Sequence, residues 1–338
     1  MVIGGIMTVY SYSRLTSFHN CQYGYYLNYI LKMPSRQNIY GFLGGIIHEL
    51  LEQLQVNAIT NSEAVERFNK ALYEADELGY FFPTLAVELS FTKSIRNYLS
   101  SFKPHECTSC EIEKEFHVNV DGVELLGYID LVLVNEDGSV TILDHKSSSK
   151  FTKADLPKNG RQLIIYAIAL QDAGYVVDKL GWSMLKYATV RVGTNRSKVV
   201  TRDKIGVQFF NQLKALVEEL PIPEEFQHSM LEHLHETGRI EDLPTEIIEQ
   251  VQITPLIVEY PLTDENIQEV KDFIVSTAKA IESKSDEPDE WEHKKIDERS
   301  SFFCNTLCGQ RDNCKHWIAY RDRYKQNQEL AFLESLFD

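Results

Sequence analysis

The sequence predicts an α/β protein, with a mixed central sheet flanked by helices and helical additions around it. Three observations carry this prediction. Between 111 and 147 the hydrophobic pattern has strand spacing, in EFHVNV, VELLGYIDLVLV and SVTILDHK. Before that block, candidate helices fall near 41–56, 62–78 and 83–101. After it, RQLIIYAIALQDAG returns to helical spacing near 160–173 and crosses to another apolar strand, GWSMLKYATVRV, at 181–192.

The remaining elements follow in order. The closing Gly of RQLIIYAIALQDAG suits a helix C-terminal cap. Residues 203–250 read as mixed helix and loop, punctuated by prolines at 221, 223 and 244. A strand at 255–260 precedes a helix at 263–283, which Thr263 is suited to cap. SKSDEPDEWEHKKIDE reads as a charged, solvated loop, and the last segment sets three cysteines in front of a final helix. There is no internal repeat and no low-complexity tract. The expected organisation is a helical region at 1–110, a core at 111–194, a helical insertion at 195–253, and a C-terminal region at 254–338.

The chain has 338 residues, enough for one large or two ordinary domains. Its 50 acidic against 34 basic residues give a net charge of −16, which disfavours a bulk attraction to nucleic acid. A DNA-binding reading therefore needs a local basic channel, or metal ions that screen phosphates. No run of about eighteen apolar residues is present, so no membrane span is expected. The opening MVIGGIMTVY lacks the basic start and cleavage pattern of a secretory signal, which predicts a cytoplasmic protein. In a reducing compartment the six cysteines, at 21, 107, 110, 304, 308 and 314, are metal ligands, reactive thiols or core residues rather than a disulfide framework.

The hairpin between VELLGYIDLVLV and SVTILDHK turns through NEDG. A two-residue Asp137–Gly138 turn would set Asp130 opposite His145. A three-residue loop with Gly138 left-handed pairs Asn135 with Ser139, and so Asp130 with Asp144. Opposed Cβ atoms stand roughly 4.5–5.5 Å apart. Two carboxylates that close repel and lose hydration, and only Lys146, on the same face as Asp144, offsets this. A divalent cation would resolve the conflict, with the peptide carbonyl of His145 as a further oxygen ligand. An isolated D-x-K is also the ordinary pattern of a solvated hairpin face.

The wider context resembles the PD-(D/E)XK nuclease superfamily. G-Y-I-D (127–130) and D-H-K (144–146) resemble its Asp…Asp/Glu-x-Lys hairpin, and three more features resemble its RecB-like branch. Gly44-Gly45-Ile46-Ile47-His48 resembles that branch's upstream G-x-x-x-H helix, Glu113 its additional acidic residue, and Gln162 with Tyr166 its Q-x-x-x-Y helix. Singly, each has a plain reading: a core or surface histidine, an exposed strand residue, two residues sharing a helix face. Their order and spacing together carry the resemblance. It implies a restriction-endonuclease-like fold, with catalytic Lys146, Asp144, Asp130, Glu113, Gln162 and Tyr166. His48, Asp130, Asp144 and the His145 carbonyl would hold Mg²⁺ or Mn²⁺, the histidine favouring Mn²⁺. Lys146 would position the attacking water. Lys158, Arg161, Ser147 and Lys150 are candidate DNA contacts.

Cys21, in SRLTSFHNCQYGYYLNYI, with the trio Cys304, Cys308 and Cys314, resembles the iron–sulfur subset of RecB-like nucleases. That subset includes the AddB nuclease domain, the CRISPR-adaptation nuclease and exonuclease V. The resemblance implies a structural 4Fe–4S cluster. Three residues separate Cys304 from Cys308 where the subset more commonly has two, and zinc is the alternative metal for four thiolates. Cys107 and Cys110 form a separate C-x-x-C, read as two thiols in the turn before a strand.

No G-x-x-x-x-G-K-S/T phosphate loop occurs, so a nuclease of this kind would act on single strands or DNA ends, or beside a separate helicase. The function expected is a metal-dependent DNA exonuclease. The alternatives are a non-catalytic or assembly-dependent DNA-binding subunit of the same fold, and a zinc-stabilised structural protein.

Overall fold

The structure, a computed structural model, describes residues 8–334, so the first seven residues of the apolar opening stretch lie outside it. Helices α1 (Tyr12–Asn20) and α2 (Gln22–Tyr25), the latter continued by a π-helical turn, come first. The three predicted helices follow as α3 (Ile39–Gln55), α4 (Asn61–Glu77) and α5 (Leu85–Ser100). Each begins where a short polar side chain satisfies free first-turn amides. Asn38 accepts from the amides of Tyr40 and Gly41 at 3.0 Å, Thr84 accepts from Val87, and Thr60 with Glu63 forms a reciprocal capping box.

The strand block is β1 (Ser109–Val120), β2 (Val123–Val134) and β3 (Val140–Lys146), followed by α6 (Leu156–Asp172) and β4 (Val177–Val192). The Gly that ends α6, Gly174, has φ +89°. Its amide donates to the Gln171 carbonyl and that of Tyr175 to the Leu170 carbonyl, which closes the last turn as a Schellman cap. Next come β5 (Lys198–Thr201), α7 (Ile205–Gln208), α8 (Phe210–Glu218), α9 (Glu224–Thr237) and α10 (Thr245–Ile248). The chain finishes with β6 (Val251–Glu259), α11 (Asp264–Glu282), capped by Thr263, then α12 (Glu298–Phe302) and α13 (Lys315–Glu334). Helix α1 and strand β5 have no counterpart in the predicted elements, because both are too short for a hydrophobic period to stand out.

The strands form one six-stranded mixed sheet in the order β1-β2-β3-β4-β5, with β6 also on β4. Strands β1, β2 and β3 run antiparallel in sequence, α6 crosses over to make β4 parallel to β3, and β5 and β6 pair antiparallel with β4. The β2–β3 loop has three residues. Asn135 and Ser139 close it with a 2.8 Å backbone hydrogen bond, Gly138 sits at φ +81°, and Val134 pairs with Val140. Counting on from the pair Leu131–Leu143 puts Asp130 opposite Asp144.

Three apolar clusters position the site. The main one joins the sheet to α6, α1 and α11, through residues such as Val132, Ile142, Leu163, Ile165, Trp182 and Phe273. The second packs α3, α4 and α5 around Leu43, Ile47, Phe68 and Ile95, and reaches Leu185 of β4. This burial anchors α3, and His48 follows directly on its core residue Ile47. In the segment expected as an insertion, Leu213, Val217, Leu234 and Ile247 form a third cluster with Ala188, Val190 and Val192 of β4. Lys93 of α5, donating to the Thr237 carbonyl at 2.7 Å, ties that segment back.

The loop after α12 returns to the residues that follow α2. The Arg36 amide donates to the Gly309 carbonyl, Gln310 to Met33, Asn313 to Pro34 and Arg311 to Gln37. Among the described residues no helix is long and apolar enough to cross a membrane.

Candidate active site

The site gathers where the β2–β3 hairpin meets α3 on one side and α6 on the other. His48 Nδ1 lies 3.4 Å from Asp130 Oδ2, and one ligand atom from each of His48, Glu113 and Asp130 falls within 4.8 Å of the others. Glu113 gets there by a backbone departure. The β1–β2 ladder pairs Ile112 with Leu131 and Lys114 with Ile129, and between them Glu113 adopts φ +45°. A left-handed residue other than glycine costs roughly 1–3 kcal/mol and persists only where its surroundings enforce it.

Asp130 and Asp144 lie at different depths. The Asp144 side chain is 1% exposed, and its Oδ2 stands 2.6 Å from Lys146 Nζ, an ion pair off hydrogen-bonding alignment. Asp130 accepts the backbone amide of His145 at 2.8 Å, a bond across the hairpin that fixes its carboxylate. Burial first, then the charge of Asp144, pushes the Asp130 carboxyl up to about 8. The His145 amide and the Lys146 charge pull it down, but by less than burial and Asp144 push it up. The charge conflict expected from the hairpin register is thus present, and it falls on Asp130, since Lys146 pairs with Asp144.

Lys146 also donates to Gln162 Oε1 at 3.1 Å, and Gln162 Nε2 donates to Tyr166 Oη at 2.6 Å. Burial raises the Tyr166 phenol, which stays a neutral hydroxyl. One polar chain therefore runs Asp144–Lys146–Gln162–Tyr166 from strand to helix. The Q-x-x-x-Y spacing set both side chains on one face of α6, but the bond from Lys146 to Gln162 is visible only in the fold.

His145 points away from the carboxylates. Its ring is buried with Nδ1 unpartnered, lies 6.0 Å from the His48 ring, and is pushed down to about 3 by burial. A backbone contact from His145 to the His48 imidazole favours the protonated ring slightly. Burial also lowers His48 itself, favouring the neutral ring that a metal ligand requires.

The expected DNA contacts divide. Lys150 is exposed and Ser147 half-buried beyond β3. Lys158 is exposed, its Nζ 3.3 Å from Asn20 Oδ1. Arg161 is already engaged: it makes a two-nitrogen contact with Glu269 of α11, at 2.6 and 3.0 Å, and stacks 4.1 Å over the Phe273 ring. This guanidinium fastens α6 to α11.

Four cysteines converge from the two ends of the chain. The Cys304 thiol is raised to about 12, by burial and then by Cys308, Cys21 and Cys314. Backbone amides point at these sulfurs: Gly24 and Lys294 at Cys21, Gln310 at Cys308, and His316 and Trp317 at Cys314. Cys107 and Cys110 stand apart, packed on Leu131, Leu133 and Leu143. Cys110 is the second residue of β1, so the pair straddles the strand start that the hydrophobic pattern placed after both.

A mixed sheet whose hairpin presents Asp130 against Asp144-x-Lys146, flanked by His48 and the Gln162–Tyr166 helix, is the arrangement that the sequence resemblance implied. Residues 9–314 match the PD-(D/E)XK nuclease superfamily, and the chain belongs to it. It is similar to an ATP-dependent helicase/deoxyribonuclease component of Streptococcus pyogenes serotype M12 (strain MGAS2096), with 28% identity over 182 residues, 49% of this chain and 17% of the relative. The protein of the same name from Streptococcus agalactiae serotype Ia is 29% identical over 180 residues, 47% of this chain and 16% of that one. The shared part is thus about a sixth of each relative's length.

Proposed function

We propose that the chain is a metal-dependent deoxyribonuclease, acting as an exonuclease on single strands or DNA ends. The observation that carries this reading is the His48–Glu113–Asp130 group beside the buried Asp144–Lys146 pair. The donors fit a hard divalent cation: two carboxylates, a neutral imidazole and the His145 carbonyl, with one carboxyl that burial and a neighbouring carboxylate raise. Here Glu113 joins the ligands assigned from sequence, while Asp144 serves first as the anchor of Lys146. A bound Mg²⁺ or Mn²⁺ would supply Lewis-acid polarisation of the phosphate and ease deprotonation of a water. Lys146, fixed by Asp144 and Gln162, orients the attacking water, and Tyr166 braces Gln162. Hydrolysis adds the water's oxygen to phosphorus, and its proton leaves with the displaced sugar oxygen.

The four gathered thiols support a structural 4Fe–4S cluster. Buried thiols that raise one another's pKa are relieved by binding iron, and amides directed at sulfur stabilise ligating thiolates. The names of the relatives, which join a helicase to a deoxyribonuclease, fit work alongside a helicase. The test is digestion of end-labelled single- and double-stranded DNA with Mg²⁺ or Mn²⁺, wild type against Lys146→Ala. We expect the variant to lose about a hundredfold or more of the rate. Equal cleavage by both proteins removes the site.

A further inference from the structure

Beside the polar chain lies a cavity of about 450 Å³ between the start of α1 and the β1–β2 hairpin. That size falls within the roughly 300–1,000 Å³ typical of small-ligand sites. Its walls include Tyr12, Arg14, Phe116, Tyr128, Gln162 and Tyr166. We propose that this cavity receives an unpaired base of the strand being cut, with a neighbouring phosphate on Arg14, so that a single strand is the preferred substrate. The inference rests on the nuclease reading and adds to it the site that selects the strand.

Three features argue for that occupant. First, the cavity adjoins the proposed chemistry. Gln162 and Tyr166 line it and are the last two members of the chain from Asp144 and Lys146. Second, its walls are aromatic, and flat rings are what an unpaired base stacks on, whatever the sequence. Tyr128 is 48% exposed, with its hydroxyl donating to Glu115 at 2.7 Å. Phe116 lies across Gly127, where any side chain would collide with its ring, and meets the Tyr166 ring edge-on at 5.7 Å. Third, Arg14 is a held cation. It donates to Tyr25 Oη at 3.0 Å and to the Val9 carbonyl at 3.1 Å, and sits about 5 Å from the Tyr10 and Tyr29 ring centres. Among the described residues no carboxylate is within ion-pair distance of it. In a chain of net charge −16, a fixed guanidinium without a carboxylate suits an anion from outside. Rings and a cation together match a nucleotide. A base inside a duplex is stacked and paired, and would have to be extruded to enter.

The test is fluorescence anisotropy of labelled oligothymidylate and of a duplex of equal length, with the full chain in EDTA so that nothing is cut. The proteins are wild type, Tyr128→Ala, Tyr128→Phe, Arg14→Gln and Lys146→Ala. We expect Tyr128→Ala and Arg14→Gln to weaken oligothymidylate binding about tenfold while duplex binding moves less than about twofold. Tyr128→Phe, which keeps the ring, should bind as wild type does. Unchanged single-strand binding in both variants overturns the proposal, as does an equal loss on duplex. If Lys146→Ala cuts at the wild-type rate once Mg²⁺ is restored, the nuclease reading fails separately from the binding result.

Discussion

Glu113 lies across the β1–β2 ladder from Asp130, and it is the residue of β1 that leaves extended geometry, at φ +45°. The twist turns its carboxylate toward Asp130 and His48, so backbone strain and a candidate metal site coincide at one position.

That coincidence predicts a trade. Glu113→Gly should relieve the left-handed strain and raise the melting temperature of the metal-free protein, by about 1–2 °C for roughly 1 kcal/mol. Glu113→Gln keeps the strain and should leave melting near wild type. Both should bind Mn²⁺ about tenfold or more weakly in calorimetric titration. A glycine variant that melts lower than wild type shows that the backbone there is not strained.

The raised Asp130 carboxyl predicts how stability follows pH. Unfolded, the group loses its proton near 3.8; folded and without metal, it holds it up to about 8. Between those values the folded chain binds the extra proton, so this group's contribution to stability falls as pH rises from about 4 to about 8. Urea midpoints of the metal-free protein should show this decline, and Asp130→Asn should flatten it. Adding Mn²⁺ near pH 6 should release a proton, readable in a weak buffer with a pH indicator. No difference in slope between the two proteins would refute the assignment.

Breaking the buried ion pair should cost more than deleting it. Lys146→Ala strands the carboxylate of Asp144, and we expect a loss of about 3 kcal/mol at neutral pH. Asp144→Asn with Lys146→Ala removes both charges and should recover most of that loss while remaining inactive. Chemical denaturation of the two single variants and the double variant gives the coupling energy. An additive cycle means that the pair does not interact.

The cysteine junction predicts a link between metal and the two ends of the chain. Protein purified without oxygen should be brown and contain iron and sulfide, and Cys21→Ser should lose the colour. The hydrogen bonds between residues 309–313 and 33–37 hold the same junction, so that variant should also open to protease near those segments. Colourless protein that contains zinc replaces the cluster with a zinc site.

Much of this architecture is legible in the sequence, for reasons that differ by element. Helices α3, α4 and α5 are long and carry caps and an apolar stripe, so spacing locates them within a few residues. At the NEDG turn the sequence narrows the register to two choices, and the structure takes the three-residue loop, Glu136–Asp137–Gly138. Strand β5 is not readable because it is too short to show a period, and the start of β4 because its partners lie on β3, across the whole of α6. The sequence shows the charge of Arg161 but not its partner, Glu269, over a hundred residues away.

By itself the sequence determined the set of chemical groups and their local spacing: Asp130 and Asp144-x-Lys146 on a hairpin, Gln162 and Tyr166 on one helix face, His48 on an apolar helix. Short-range geometry, period two in strands and period 3.6 in helices, is enough for that. Only the tertiary structure decided the division of labour between them. It buried Asp144 against Lys146 and left Asp130 to Glu113 and His48. It set Arg14, in a helix the spacing did not predict, in a cavity wall beside Gln162. Depth, charge compensation and neighbours from distant segments set those roles, and none of them is a property of local sequence.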